Sequence, residues 1–145
     1  MEQTLPILAM LRERGHRITP FRTKLVTIFE AAPTPLSARD IQTLVGRGPR
    51  VHKTTLYREL EFLASEKLIS PIEAGDGVKR FERSDLPHHH HFRCVNCHRV
   101  DDLPIDEYGQ KLEENLLARH NLGSINHTME ITGFCTNCSE SGAVI

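Results

Sequence analysis

Nothing in this 145-residue chain is long and apolar enough to cross a membrane as a helix. The opening residues, Met1 to Pro6, contain no basic region followed by an apolar core, so no secretory leader is expected and the protein is expected to be cytoplasmic. No His-Glu-x-x-His pattern and no nucleophile motif occurs, which argues against an enzyme. Cysteine is sparse, and all 4 fall in two turns, Cys94-Val-Asn-Cys97 and Cys135-Thr-Asn-Cys138. The chain also lacks a strong net charge, but the value of −1 conceals a division. Residues 1–58 carry ten Lys and Arg against four Asp and Glu, whereas residues 59–145 carry eight against fifteen. A basic first part beside an acidic, His- and Cys-rich second part suggests a nucleic-acid-binding module joined to a metal-binding one.

What the chain does have is concentrated in that second part. A Cys-x-x-Cys turn presents two soft sulfurs to one ion, and two such turns complete a closed tetrahedral shell suited to structural Zn²⁺. Disulfides are the competing reading, disfavoured in a reducing compartment. The run His88-His89-His90-His91 leads directly into Cys94. On a strand, alternate side chains point to opposite faces, so His88 and His90 face one way and His89 and His91 the other. One short strand is therefore able to serve two metal sites. The carboxylates of Glu82, Asp101, Asp102, Asp106 and Glu107 are near enough in sequence to complete mixed N/O shells. Such shells suit Fe²⁺, Mn²⁺, Co²⁺, Ni²⁺ or Zn²⁺ and exchange more readily than a tetrathiolate. His127, on the apolar side of an alternating segment, is either a ligand or a core residue.

The pattern of elements predicts an α+β protein. Leu5, Leu8 and Leu11 recur at helical spacing up to Gly15. Thr19-Pro20 is a helix start, and Phe21, Leu25, Ile28 and Phe29 line one face behind it. Ser37-Ala38-Arg39-Asp40 is a capping box ahead of Ile41, Leu44 and Val45. Thr54 or Thr55 is expected to cap a helix that turns Leu56, Leu60 and Leu63 inward. Two short strands around Gly75-Asp76-Gly77 follow. Helices followed by such a hairpin make a winged helix-turn-helix over residues 1–83, whose second helix enters the major groove of DNA. Residues 84–87 read as a hinge, and 88–145 as the metal-binding module. There, strands are expected over 90–94, 99–103 and 125–132. Asp106 is expected to cap a helix to about His120 that buries Leu112, Leu116 and Leu117, and a loose tail should follow from Ser139.

In the first module Lys53 and Arg58 are candidates to neutralise phosphates, and Thr54 and Thr55 to bond phosphate near a helix start. Tyr57 is placed to press its ring on a thymine methyl. Two other classes compete. A winged-helix zinc-ribbon adaptor needs only the thiolate ion and leaves the histidines unexplained, and a catalytic zinc needs an open coordination position that four cysteines do not leave.

Over about residues 5–139 the chain resembles the ferric uptake regulator (Fur) family of metal-dependent repressors. The matching landmarks are Arg17-Ile-Thr-Pro-Phe-Arg22, Leu36-Ser-Ala38, Lys53-Thr-Thr-Leu-Tyr-Arg58, Gly75-Asp-Gly77, Arg80-Phe-Glu82, the histidine run and both cysteine turns. The resemblance implies a winged-helix DNA-binding domain, an α/β dimerisation domain, and a homodimer. It implies binding to AT-rich inverted-repeat operators when metal-loaded, with repression of metal-homeostasis genes. It assigns Cys94, Cys97, Cys135 and Cys138 to structural zinc, and Glu82, His89, His91 and Asp102 to a regulatory metal. A further site takes His88, His90 and His127, with Glu107 as the nearest helix carboxylate beside Gln110 and Glu113. Tyr57 and Arg58 match base readers, Arg17 a minor-groove contact, and Arg22 of the same stretch is taken as another DNA contact. Pro35 stands where relatives often carry a ligating histidine, and His90 where many carry aspartate. Fe²⁺, Mn²⁺ and Zn²⁺ all remain open for the regulatory position.

Overall fold

The computed structural model describes residues 6–46, 51–104, 107–125 and 129–142; the side chains of residues 107–110 and 130 also lie outside that description. The chain divides into two compact units, one ending at Leu86 but lacking Ala74–Asp76, the other running from Pro87 with Ala74–Asp76 added.

In the first unit, helix α1 (Pro6–Glu13) stops at Gly15, whose φ of 79° suits a residue without a Cβ. Helix α2 (Pro20–Ala31) begins as its sequence requires. Thr19 accepts a hydrogen bond from the Arg22 amide, and Pro20 occupies the first turn where no amide hydrogen is needed. A two-residue strand β1 (Leu36–Ser37) precedes helix α3 (Ala38–Val45), whose capping box joins Ser37 and Asp40 reciprocally. Helix α4 (Lys53–Ser65) then leads to strands β2 (Ile69–Glu73) and β3 (Lys79–Arg83). The sheet has the order β1-β3-β2, both pairings antiparallel, so a small sheet flanks the helices as in a winged helix-turn-helix. The core holds only aliphatic side chains and phenylalanines, among them Leu11, Leu25, Phe29, Ile41, Leu56, Leu60, Leu63 and Phe81.

Two local expectations are corrected. The N-cap position of α4 is held by His52, which makes no side-chain cap bond, and not by Thr54 or Thr55, because the helix starts earlier; both threonines sit in its first turn. Leu44 is 54% exposed, so only Ile41 of the predicted face is fully buried. Residues 47–50, between α3 and α4, fall outside the described set.

In the second unit, β4 (His89–Cys94) pairs antiparallel with β5 (Val100–Pro104) and parallel with β6 (Glu130–Gly133), in the order β5-β4-β6. Helix α5 (Glu107–His120) lies in the chain between β5 and β6, a crossover of the kind that parallel pairing demands. A short helix α6 (Thr136–Glu140) follows. Three expectations change here. Leu112 and Leu116 are exposed at 48% and 40% and Leu117 is only half-buried, because among the described residues no second layer covers that side of α5. Met129 is also exposed, and β6 begins at Glu130, not at 125. Ser139 and Glu140 belong to α6 and are not tail. Asp106 and His127 lie outside the described residues. No helix among those described is long and apolar enough to cross a membrane.

Candidate functional site

The thiolate cluster is built by backbone turns at the ends of two neighbouring strands. After Cys94 the chain reverses, with the His98 amide donating to the Cys94 carbonyl at 3.0 Å and the Cys94 amide to the Arg99 carbonyl at 2.9 Å. His98 takes φ 61° in that turn. The Val95 amide donates to the Gly133 carbonyl at 2.8 Å, which brings the end of β6 alongside and delivers Cys135 at the start of α6. The four Sγ atoms lie within 4.8 Å of one another, and Cys97 and Cys135 are 3.8 Å apart. A tetrahedron of sulfurs about 2.3 Å from one zinc has edges of about 3.8 Å, whereas a disulfide needs about 2.0 Å. All four cysteines are free thiols, so the disulfide reading falls and the donor set fits zinc.

The electrostatics agree with that fit. Backbone amides, that of Cys97 first and then that of Cys135 at 3.4 Å, hold the Cys94 thiol down to about 6. At Cys138 the Asn96 side-chain amide, 3.3 Å from Sγ, pulls the thiol down. The Cys135 thiol, burial and the other thiols together outweigh it and push Cys138 up to about 11. Four sulfurs this close cannot all ionise unaided; a divalent cation is what relieves them.

A second donor set stands on the same strand. Asp102 on β5 is paired in register with His91 on β4, and His89 is two residues along on the same face. His91 Nε2 lies 3.6 Å from Asp102 Oδ1, and His89 Nε2 lies 3.8 Å from Asp102 Oδ2. These separations exceed hydrogen bonds and approach those of ligands about 2.1 Å from a shared ion. His89 Nδ1 is 2.7 Å from the Pro87 carbonyl, which places the proton on Nδ1 and the ring's lone pair on Nε2, the atom that faces Asp102. The rings of His89 and His91 are half-buried, with centroids 4.7 Å apart. Glu82 is half-buried on β3 of the first unit.

His88 and His90 turn to the other face, their rings 5.3 Å apart. Glu113 of α5 approaches His88 Nε2 to 3.8 Å, so the carboxylate described there is Glu113; Glu107 opens α5. Pro35 is buried just before β1.

On α4, Lys53, Thr54, Thr55 and Arg58 are exposed, and Tyr57 is half-buried with Lys53 Nζ 5.7 Å from its ring. Arg17 is exposed as well. Arg22 is not available as they are. Its guanidinium, expected from the family resemblance to contact DNA, is engaged here by Glu59 at 2.9 and 3.1 Å and by the Arg17 carbonyl at 2.6 Å. Sequence reasoning also missed Asn96 and the Arg22–Glu59 pair, whose members are 37 positions apart.

Comparison with known proteins agrees with this architecture. The model of the ferric uptake regulator family matches residues 13–132. The ferric uptake regulation protein of Synechococcus elongatus is 30% identical over 137 residues, covering 92% of each chain. The peroxide-responsive repressor PerR of Staphylococcus epidermidis is 30% identical over 138 residues, covering 93% of this chain and 89% of that one. Among solved structures, the Helicobacter pylori ferric uptake regulator superposes with a TM-score of 0.82 over 97% of both chains at 24% identity, a likeness of fold.

Proposed function

The chain belongs to the ferric uptake regulator family, and from that premise we propose that it is a metal-responsive, DNA-binding transcriptional repressor acting as a homodimer in the cytoplasm, with no enzymatic role. One observation carries the reading. A single strand, β4, contributes Cys94 to the closed thiolate set at one end and, along one face, His89 and His91 to an open set that Asp102 of the neighbouring β5 joins. An adaptor would use only the first; a sensor needs both, one to hold structure and one to exchange.

We assign Cys94, Cys97, Cys135 and Cys138 to structural zinc. His89, His91 and Asp102 are assigned to the regulatory metal, Fe²⁺, Mn²⁺ or Zn²⁺, with Glu82 as fourth ligand on the family correspondence alone. His88 and His90, with Glu107 or Glu113 and His127, form the additional site. Arg17, Lys53, Thr54, Thr55, Tyr57 and Arg58 face DNA, and the operators are AT-rich inverted repeats controlling metal homeostasis. The uncovered leucines of α5 supply apolar surface for the dimer, which supports the homodimer assignment. A ligand drawn from the winged-helix unit makes metal loading restrict the dimer to one half-site spacing, so DNA binding rises with occupancy.

The test is a DNA-binding titration, metal by metal, on protein that retains its tight zinc. One of the three metals should strengthen operator binding reversibly. Binding that is indifferent to every added metal sinks the sensor and leaves the adaptor.

A further inference from the structure

Helix α4 presents three sides. Leu56, Leu60 and Leu63 face the core; Lys53, Thr54, Tyr57 and Arg58 form the outer face; Glu59, Phe62 and Glu66, spaced i, i+3 and i+7, line a third. That third side is occupied by the first turn of α2 and the segment before it. Arg22 spreads its guanidinium over the Phe62 ring at 4.0 Å while Nε and Nη2 donate to the two oxygens of Glu59. Its remaining nitrogen, Nη1, donates to the Arg17 carbonyl. The His16 ring meets Phe62 edge-on at 5.0 Å, and its Nε2 is 3.0 Å from Glu66. Arg14 donates to the Glu66 carbonyl at 2.6 Å and to its carboxylate at 3.0 Å. The Arg22 side chain is only 11% exposed and that of Glu59 19%.

We infer that Arg22 is a positioning residue for DNA recognition, setting the rotation of α4 and the place of Arg17 by one guanidinium held between them. This rests on the winged-helix reading above. The reason for arginine is geometric. Only a planar fork binds a carboxylate in two places, stacks on an aromatic face and still has a donor left for a carbonyl; lysine, a single point of charge, does not. With the fork in place, the backbone bearing Arg17 moves with the helix bearing Tyr57 and Arg58. A direct phosphate contact by Arg22 would require breaking the Glu59 pair in a half-buried setting, which is costly.

The test uses full-length, zinc-retaining protein with its activating metal. Its probes are the duplex that wild type selects from a random pool and a shuffled duplex of equal length. Arg22→Lys and Glu59→Gln should each weaken binding to the selected duplex about tenfold. They should leave the shuffled duplex within about twofold and the salt slope unchanged, because no phosphate contact is lost. Zinc content and thermal unfolding report whether each variant remains folded, and Glu59→Gln removes the anchor without touching any cation. If Arg22→Lys behaves as wild type, charge alone suffices and the inference fails. If Arg22→Lys keeps wild-type affinity while Arg22→Ala weakens both duplexes alike and lowers the slope by about one, Arg22 touches phosphate and the inference fails too. A wild type that selects no duplex under any metal overturns the DNA-binding reading itself, and this inference with it.

Discussion

The two units are held together by different physics. In the first, the buried cluster is made of Leu, Ile, Val and Phe contributed by four helices and a sheet. In the second, among the described residues, the buried cluster is Cys94, Cys135 and Cys138 with Phe92 and Phe134 packed against it, and α5 contributes no fully buried side chain. Full burial of one aliphatic side chain contributes roughly 1.5–3 kcal/mol, so the first unit stands on many such terms. The second has few, and structural zinc, at roughly 10–16 kcal/mol in small domains, is the term that replaces them. One unit is stable because of what its sequence excludes from water; the other, because of what it gathers from solution.

The sharpest way to break this contrast is to remove the thiolates. Cys135→Ser should abolish zinc retention and unfold the second unit. The first unit should keep its helical signal and its own melting transition, read by circular dichroism beside metal analysis. A single shared transition in the variant would erase the distinction between units. Acidification should act the same way in milder form. With Cys94 held down to about 6 and Cys138 up at about 11, loading zinc at pH 7 must expel at least the Cys138 proton. Zinc affinity therefore falls as pH drops below 7, measurable by chelator competition.

The reciprocal change is Leu60→Ala. It should cost the first unit about 2–5 kcal/mol in denaturant unfolding and leave zinc content untouched. Between units in consequence is the pair His89→Ala with His91→Ala, which should remove metal activation of DNA binding while structural zinc stays. The same change at His88 and His90 should do less. Lys53→Ala is smaller, weakening specific and nonspecific duplexes alike and lowering the salt slope by about one. Smallest is Asp85→Asn. Hydrogen bonding from Arg83 holds the Asp85 carboxyl below its usual range, so its contribution is present above the ordinary carboxylate pKa and is lost as pH falls through the lowered one. At this exposed pair it should amount to about 0.5 kcal/mol at pH 7 and vanish in acid, in unfolding curves at the two pH values.

The comparison also explains what was legible beforehand. Caps at Thr19 and Ser37 were readable because donor and acceptor are three residues apart. The facing of His89 and His91 followed from strand pleat. Helical periodicity marked the apolar side of α5 and α3 correctly but does not say whether this chain covers it, so Leu112, Leu116 and Leu44 were misjudged. The β1–β3 pairing, Leu36 opposite Phe81, and the parallel pairing of β6 with β4 are long-range and leave no local trace. Arg22 looked like a loose cation for the same reason: its carboxylate lies a helix away.

Four identical side chains in succession create an ambiguity that β4 must resolve. Sliding that strand by one position against β5 would bring His90 opposite Asp102 in place of His91, with an imidazole still facing the carboxylate. The histidine run is thus blind to its own alignment. The thiolates are not: Cys94 stands opposite Gly133, and one step either way carries its sulfur off the shared ion. Zinc at one end of β4 is therefore the index mark from which the histidines at the other end are counted.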